Sequence, residues 1–374
     1  MNFNFRMPNY LLFGQGKLKE LNKYISLYGK KFLIVCTKSR RYLTEVQNIL
    51  AQENIKTIVF DKIEPNPFAE ICDEGGKIAR EEKVDGVIGL GGGSPIDAAK
   101  AIAVIATHTG SCWDYLFFKK SPIIKTLPII AITTTSGTGS HMTPYAVINK
   151  KDTKEKSAIA SDFCIPKIAV VDPNLMLSVS KETTIFTAFD AFAHSFESYT
   201  NLNANPLTDL VAFESIKLIL ENINNLIENL DNIELRTKLA LADTYAGIAI
   251  CNAGTTLPHA MAQPISGLNP KVAHGHSLMI VYPEFLKLNA NYAKEKFIKV
   301  AQIINKNIKS ASEAANVLIK FIMDFKVTMK LLDVGLGKDD INELLRQCLI
   351  FPDWKFCPKK ISEEEIKLIY EKIA

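Results

Sequence analysis

Gly86-Val87-Ile88-Gly89-Leu90-Gly91-Gly92-Gly93-Ser94-Pro95-Ile96-Asp97-Ala98-Ala99-Lys100 decides how the first half of this chain reads. Residues 86–90 form a short apolar run suited to a buried strand. Glycines and a serine follow, and a helical pattern runs over 95–106. Pro95 suits a first helical turn, where a missing N–H costs nothing. Glycine lets the backbone come close to a ligand, and the unbonded N–H groups of a helix start favour an anion. A pyrophosphate fits such a loop. The spacing is not G-x-G-x-x-G, so the ordinary dinucleotide fingerprint is not what stands here.

Further apolar runs lie on either side, at 32–36, 57–60 and 128–132, with helical patterns at 43–52 and 68–82 between them. Strands alternating with helices predict a parallel sheet flanked by helices. The runs are continuous rather than alternating, as in strands buried on both faces. A second polar loop, Thr133-Thr134-Thr135-Ser136-Gly137-Thr138-Gly139-Ser140, follows the 128–132 run. Hydroxyls and small residues at a strand's C-terminal end suit the ligand crevice of an open α/β sheet. Past Asp172-Pro173-Asn174 the strand signals nearly vanish. Segments 184–200, 207–227, 233–252, 293–304, 311–325, 338–349 and 362–373 read as helices. The expectation is an α/β dinucleotide-binding domain over 1–178 and an all-α metal-binding domain over 179–374.

The helical half carries its own signal in Thr187-Ala188-Phe189-Asp190-Ala191-Phe192-Ala193-His194-Ser195-Phe196-Glu197-Ser198-Tyr199. Asp190 and His194 stand one turn apart on one face of a helix. Apolar Phe189, Ala193 and Phe196 flank them, so both are buried, which is costly unless something satisfies them. A divalent cation satisfies both. His259 and His274 follow in a later stretch, with His276 a competitor for His274. Three imidazoles and a carboxylate suit Fe(II) or Zn(II). Each residue taken singly also fits a hydrogen-bonded place in a core. Trp113, Tyr145, Phe163, Phe189 and Met261 are candidates to line a substrate pocket, or to be core.

Composition bounds the rest. With 374 residues, 47% hydrophobic and 22% charged, the chain reads as a soluble two-domain protein. A net charge of +4, spread along the chain, does not argue for a nucleic-acid partner. No apolar run reaches the roughly 18–20 residues of a membrane span, and the N-terminus lacks the apolar core of a signal peptide. Seven cysteines without C-x-x-C spacing fit reduced thiols in a cytoplasm.

These segments, with Phe13-Gly14-Gln15-Gly16, Pro65-Asn66-Pro67 and Val171-Asp172-Pro173, run in an order that resembles the iron-containing (group III) alcohol dehydrogenase family. The resemblance extends from near the N-terminus to about residue 275 and is specific as a set. It implies a two-domain enzyme with a cleft between the domains, moving a hydride between NAD(P)(H) and a small alcohol or aldehyde. It implies Asp190, His194, His259 and His274 as ligands of Fe(II), with Zn(II) the alternative. It also implies a homodimer or higher homo-oligomer. Cofactor contacts carry over to Asn66, Gly92, Gly93, Ser94, Thr134, Thr135, Thr138 and Lys156, with Asp97 in the same motif and placed to help hold the loop.

Three departures from the family pattern stand out. Gln263 occupies a place where many members carry a second histidine, which puts a histidine proton relay in doubt. His141 follows the Gly-Thr-Gly-Ser loop where a glutamate is usual, altering active-site charge or marking a surface exchange. After the second strand, many NAD-using members carry an acid; here Cys36-Thr37-Lys38-Ser39-Arg40-Arg41 offers hydroxyls and bases. Thr37 and Lys38 therefore join the cofactor set, and NADP(H) is expected over NAD(H). The rival readings are a glycerol-dehydrogenase-like enzyme, a dehydroquinate-synthase-like enzyme, and a nucleotide-binding protein without activity.

Overall fold

The computed structural model describes residues 2–119 and 121–374; Met1, at the head of the stretch read for a signal peptide, lies outside them. The chain forms two compact units. One holds Met7–Val179 together with Leu230–Ala240. The other holds Ser180–Asn229 and Leu241–Ala374, with the N-terminal residues up to Arg6.

The first unit is built on β1 (Tyr10–Phe13), β2 (Lys31–Thr37), β3 (Lys56–Ile63), β4 (Gly86–Gly91) and β5 (Ile129–Thr133). A hairpin of β6 (Tyr145–Lys150) and β7 (Glu155–Ala160) precedes β8 (Ile168–Val171). Six strands pair in the order β1-β8-β5-β4-β2-β3, every pair parallel. The expected runs 32–36, 57–60 and 86–90 fall within this sheet, and 128–132 does so but for Pro128. β1 and β8, of only four residues each, and the half-polar β6 and β7, are findings of the structure. Helices Leu43–Ala51, Ala69–Glu81 and Gly93–Ile105 follow their strands, as the parallel arrangement requires.

Alternate residues of the strands feed two apolar layers. Phe32, Ile34, Ile88 and Ile130 pack on one side of the sheet. Leu33, Val35, Val87 and Ile129 pack on the other, against Ala98, Ile102 and Ile105 of the Gly93–Ile105 helix. Burial on both sides explains the unbroken apolar runs. From β2 the chain steps outward to β3, then returns across β2 to β4 and on to β5. The reversal falls between β2 and β4, where open α/β sheets place their ligand crevice.

Leu230–Ala240 belongs to this unit because it finishes its core. Ala240 joins Val171 and Met176 in one apolar cluster. Buried Arg236 donates to the carbonyls of Leu230 at 2.8 Å and Val179 at 2.9 Å.

The second unit contains helices Lys181–Thr200, Pro206–Glu228, Leu257–Leu268, His274–Asn289, Lys294–Ile304, Ala311–Met323, Ile341–Cys348 and Glu363–Ile373. The Ile233–Ala253 helix has residues in both units. Leu257–Leu268 and His274–Asn289 were not among the helices expected from periodicity. Pro264 and Pro283 interrupt them, and burial on nearly all sides of Leu257–Leu268 removes the polar stripe that marks a surface helix. No described helix is long and apolar enough to cross a membrane. All seven cysteines are free thiols.

One buried cation braces the sheet unit. Lys100 is fully buried in the Gly93–Ile105 helix. Its Nζ donates to the carbonyls of Ser140 (2.7 Å), Thr143 (2.9 Å) and Tyr145 (2.6 Å). Asp97, one turn earlier, accepts from Ser140 Oγ at 2.5 Å and Val147 N at 3.1 Å. Lys100→Met should therefore strand three carbonyls, those of Ser140 and Thr143 buried, and lower the free energy of unfolding by about 3 kcal/mol or more. Urea denaturation measures it, and a loss under about 1 kcal/mol would show that the brace is dispensable.

Candidate functional site

The glycine loop is the end of β4 running straight into a helix. Gly92 takes the N-cap position in an extended conformation, with no side chain capping the first turn. Main-chain N–H groups of Gly93 and Ser94 thus stand at a helix start, a natural seat for phosphate. Gly93 is required by close approach: a Cβ there would lie 2.6 Å from Thr138 Cγ2, so this loop packs on the 134–140 loop. Thr134 N donates to Gly91 O at 2.9 Å, tying the ends of β4 and β5 together.

Residues from elsewhere join the same corner of the sheet unit. Asn66 N donates to Ser94 Oγ at 3.2 Å, and Lys156 Nζ donates to Asn66 Oδ1 at 2.9 Å. Of the residues carried over from the family as cofactor contacts, Asn66, Gly93, Ser94, Thr138 and Lys156 are therefore linked directly or through one neighbour. Asp97 turns instead to Ser140 and Val147, bracing the loop. Thr37 ends β2, with its hydroxyl 2.9 Å from that of Ser39. Lys38 is largely exposed, its nearest carboxylate Glu64 at 3.7 Å. Arg40 pairs with Asp61 at 2.6 Å, and Arg41 bonds Ser178.

In the helical unit, three helices bring the acid and the imidazoles together. Ser180 caps the Lys181–Thr200 helix by accepting from Thr183 N, and that helix carries Asp190 and His194. His259 lies in the first turn of Leu257–Leu268, after Pro258, and His274 opens His274–Asn289. The Nε2 atoms of His194 and His259 each lie 3.6 Å from Asp190 Oδ1, and that of His274 lies 3.9 Å away. Among the described residues, ligand atoms of Asp190, His259 and His274 all fall within 4.8 Å of one another. A tetrahedral ion with bonds of about 2.0–2.2 Å sets neighbouring donors roughly 3.3–3.6 Å apart. The His194 and His259 rings stack with centroids 4.5 Å apart.

Buried polar atoms test whether a cation fits. Asp190 Oδ1 and His259 Nε2 are both buried without a hydrogen-bond partner, though they face each other. Burial pushes the Asp190 carboxyl up, but His194, His274 and His259 outweigh it and hold it at about 2. Burial likewise pulls His259 down, while Glu197 and Asp190 carry it up to about 10. Both directions say that the centre attracts positive charge. A second proton on His259 is one way to supply it; a divalent ion bridging the orphaned atoms is the other, and its donor set of imidazoles plus carboxylate fits.

Other histidines lie elsewhere. His276 donates from Nε2 to Thr328 O at 2.7 Å and stacks on Phe186, away from Asp190. His141 is buried, so it is no surface exchange, and burial together with Lys100 pulls its pKa down to about 3. It is neutral and adds no charge. Of the residues expected to line a pocket, Phe189 is core, edge-on to Tyr282 at 5.1 Å, and Met261 is equally buried.

Sequence reasoning passed over Glu197. This carboxylate is fully buried, with Oε1 2.7 Å from His259 Nδ1 and Oε2 accepting from Thr256 N at 2.7 Å. Its signal was present: 190, 194 and 197 fall on one helical face. Gly275 stands in the family-like segment His274-Gly275, and the structure gives the reason for the glycine. A Cβ on Gly275 would lie 2.0 Å from the Phe186 carbonyl oxygen, so glycine alone lets His274 approach Asp190 this closely.

The profile described as "Iron-containing alcohol dehydrogenase" matches residues 8–173, and "Fe-containing alcohol dehydrogenase family, C-terminal" matches residues 184–374. A long-chain primary alcohol dehydrogenase of Thermoanaerobacter ethanolicus is 33% identical, over 99% of this chain and 96% of its own length. The NAD-dependent methanol dehydrogenase of Bacillus methanolicus is 30% identical, over 92% of each chain. The crystal structure of an archaeal halo-thermophilic alcohol dehydrogenase from a Red Sea brine pool superposes with a TM-score of 0.95 at 32% identity. It covers 100% of this chain and 99% of its own.

Gly275→Ala should force the His274–Asn289 helix away from Phe186, costing about 1–3 kcal/mol of stability and displacing His274. Melting temperature and metal uptake should fall together. Wild-type values of both would show that the close approach is not needed.

Proposed function

The chain belongs to the iron-containing alcohol dehydrogenase family, and from that premise we propose that it moves a hydride between NADP(H) and a small alcohol or aldehyde. The observation that carries this reading is the convergence of three imidazoles on one buried carboxylate oxygen, within 3.9 Å. Asp190, His194, His259 and His274 would hold a divalent ion, Fe(II) by family habit. A cation held there supplies a Lewis acid toward an alcohol or carbonyl oxygen, and a bound nicotinamide supplies or accepts the hydride.

The chain's own residues do the remaining work. Main-chain N–H groups of Gly93 and Ser94 would take the phosphates, with Gly92, Thr134, Thr135 and Thr138 walling the loop and Lys156 adding charge beside Asn66. No side chain here needs to act as a nucleophile. The Gln263 amide neither takes up nor releases a proton at neutral pH, so proton exchange would run through water or ribose hydroxyls.

Cofactor choice is where this chain is proposed to part from the methanol enzyme whose name carries NAD. No acid follows β2, and Lys38 with the Thr37 and Ser39 hydroxyls offers donors to a 2′-phosphate. Arg40 contributes less, since Asp61 already pairs with it.

Two experiments test the reading. His259→Ala should stop metal from copurifying and lower aldehyde-dependent NADPH oxidation by at least about a hundredfold; wild-type turnover in metal-stripped variant protein would refute the metal centre. Separately, kcat/KM with NADPH should exceed that with NADH by roughly tenfold or more. A clear NADH preference would overturn the NADP(H) assignment and leave the metal centre standing.

A further inference from the structure

We propose that Glu197 is a positioning residue of the centre: it locks His259 in the tautomer and orientation that turn Nε2 toward the ion, and so sets how tightly the ion is held. The inference rests on the proposed function, in which Asp190, His194, His259 and His274 share one cation.

Glu197 is fully buried on the same helix as Asp190 and His194. Oε2 accepts from Thr256 N at 2.7 Å and from Thr256 Oγ1 at 3.2 Å. Oε1 lies 2.7 Å from His259 Nδ1. A carboxylate only accepts, so Nδ1 carries the hydrogen. In the neutral ring Nε2 then bears the lone pair, and it faces Asp190 Oδ1 at 3.6 Å. Turning the ring over would place a carbon against Glu197 and rob a buried acceptor of its donor. The carboxylate grips two places on the second chain segment, the N-cap residue Thr256 and the ring three residues on. Because Asp190 and His194 sit on Glu197's own helix, these bonds fix the distance between the first pair of ligands and the third. Carboxylate partners of this kind orient metal-bound imidazoles and strengthen them as donors, and losing one commonly costs about 10–100-fold in metal affinity.

The test is a double-mutant cycle on the metal-stripped full-length protein, with Zn(II) affinity read by chelator competition and Co(II) read by its visible spectrum. Glu197→Gln keeps size and an acceptor but loses the charge. It should weaken Zn(II) by about 10–100-fold and shift the Co(II) bands. In the His259→Ala background, whose three remaining ligands hold Zn(II) too weakly to survive purification but measurably in titration, the same change should cost less than about threefold, because the ring it acts through is gone. An equal loss in both backgrounds would mean that Glu197 merely supports the fold. Wild-type affinity and spectrum in Glu197→Gln would also overturn the proposal. Glu197→Asp keeps the charge and withdraws the oxygen from Nδ1; if the glutamine variant folds poorly, the aspartate variant takes its place in the same cycle, with the same losses expected. If the unsubstituted protein takes up neither Zn(II) nor Co(II), or binds them no better than His259→Ala, the metal-centre reading has failed, and this proposal with it.

Discussion

A carboxylate buried among imidazoles is the constraint around which the helical unit is built. Asp190 sits out of water with three ring nitrogens within 3.9 Å of one oxygen. Such a cluster cannot be assembled cheaply from one helix. It draws on three, and what holds them in place is apolar. Phe189, Phe192 and Phe196, on the helix of Asp190 and His194, pack on Tyr282 of the helix that opens with His274. One helix thus presents an aromatic stripe for packing and a polar stripe for chemistry. Aromatic contacts supply the rigidity that lets four polar groups be held close without relaxing apart.

The sheet unit solves the converse problem with backbone rather than side chains. Its loops at the ends of β4 and β5 present N–H groups and hydroxyls, which bind anions without strong charge. Loops of this kind need support from behind, and Lys100 with Asp97 provides it from inside the helix the glycine loop opens. The buried lysine directs its donors to carbonyls of the 140–145 segment rather than to a ligand. A polar residue in a binding motif is therefore not by that fact a binding residue.

Much of this was legible in the residues. Long apolar runs bounded by glycine or polar loops marked four of the six sheet strands, β2 to β5, because burial on both faces leaves little to alternate. The pair Asp190 and His194 was visible because helical spacing converts four residues into one face. β1 and β8 were too short to stand out from neighbouring loops. The two helices bearing His259 and His274 were hidden by internal prolines and by burial that erases amphipathic period. Glu197 escaped because its partner lies 62 positions away, and local spacing says nothing about which ring a buried acid will meet. Only the family pattern separates His274 from His276 in the sequence; in the fold the His276 ring stacks on Phe186, whose carbonyl oxygen crowds Gly275 between the two histidines.

The sheet unit takes eleven of its residues, Leu230–Ala240, from far along the chain. Ala240 closes an apolar cluster with Val171 and Met176, and Arg236 satisfies the Val179 carbonyl. A gene segment ending near residue 179 therefore does not encode a finished sheet unit. Recombination between relatives at a single crossover there would graft one ancestor's strands onto another ancestor's plug. Exchanging the sheet unit between relatives therefore takes two separate segments of the gene rather than one.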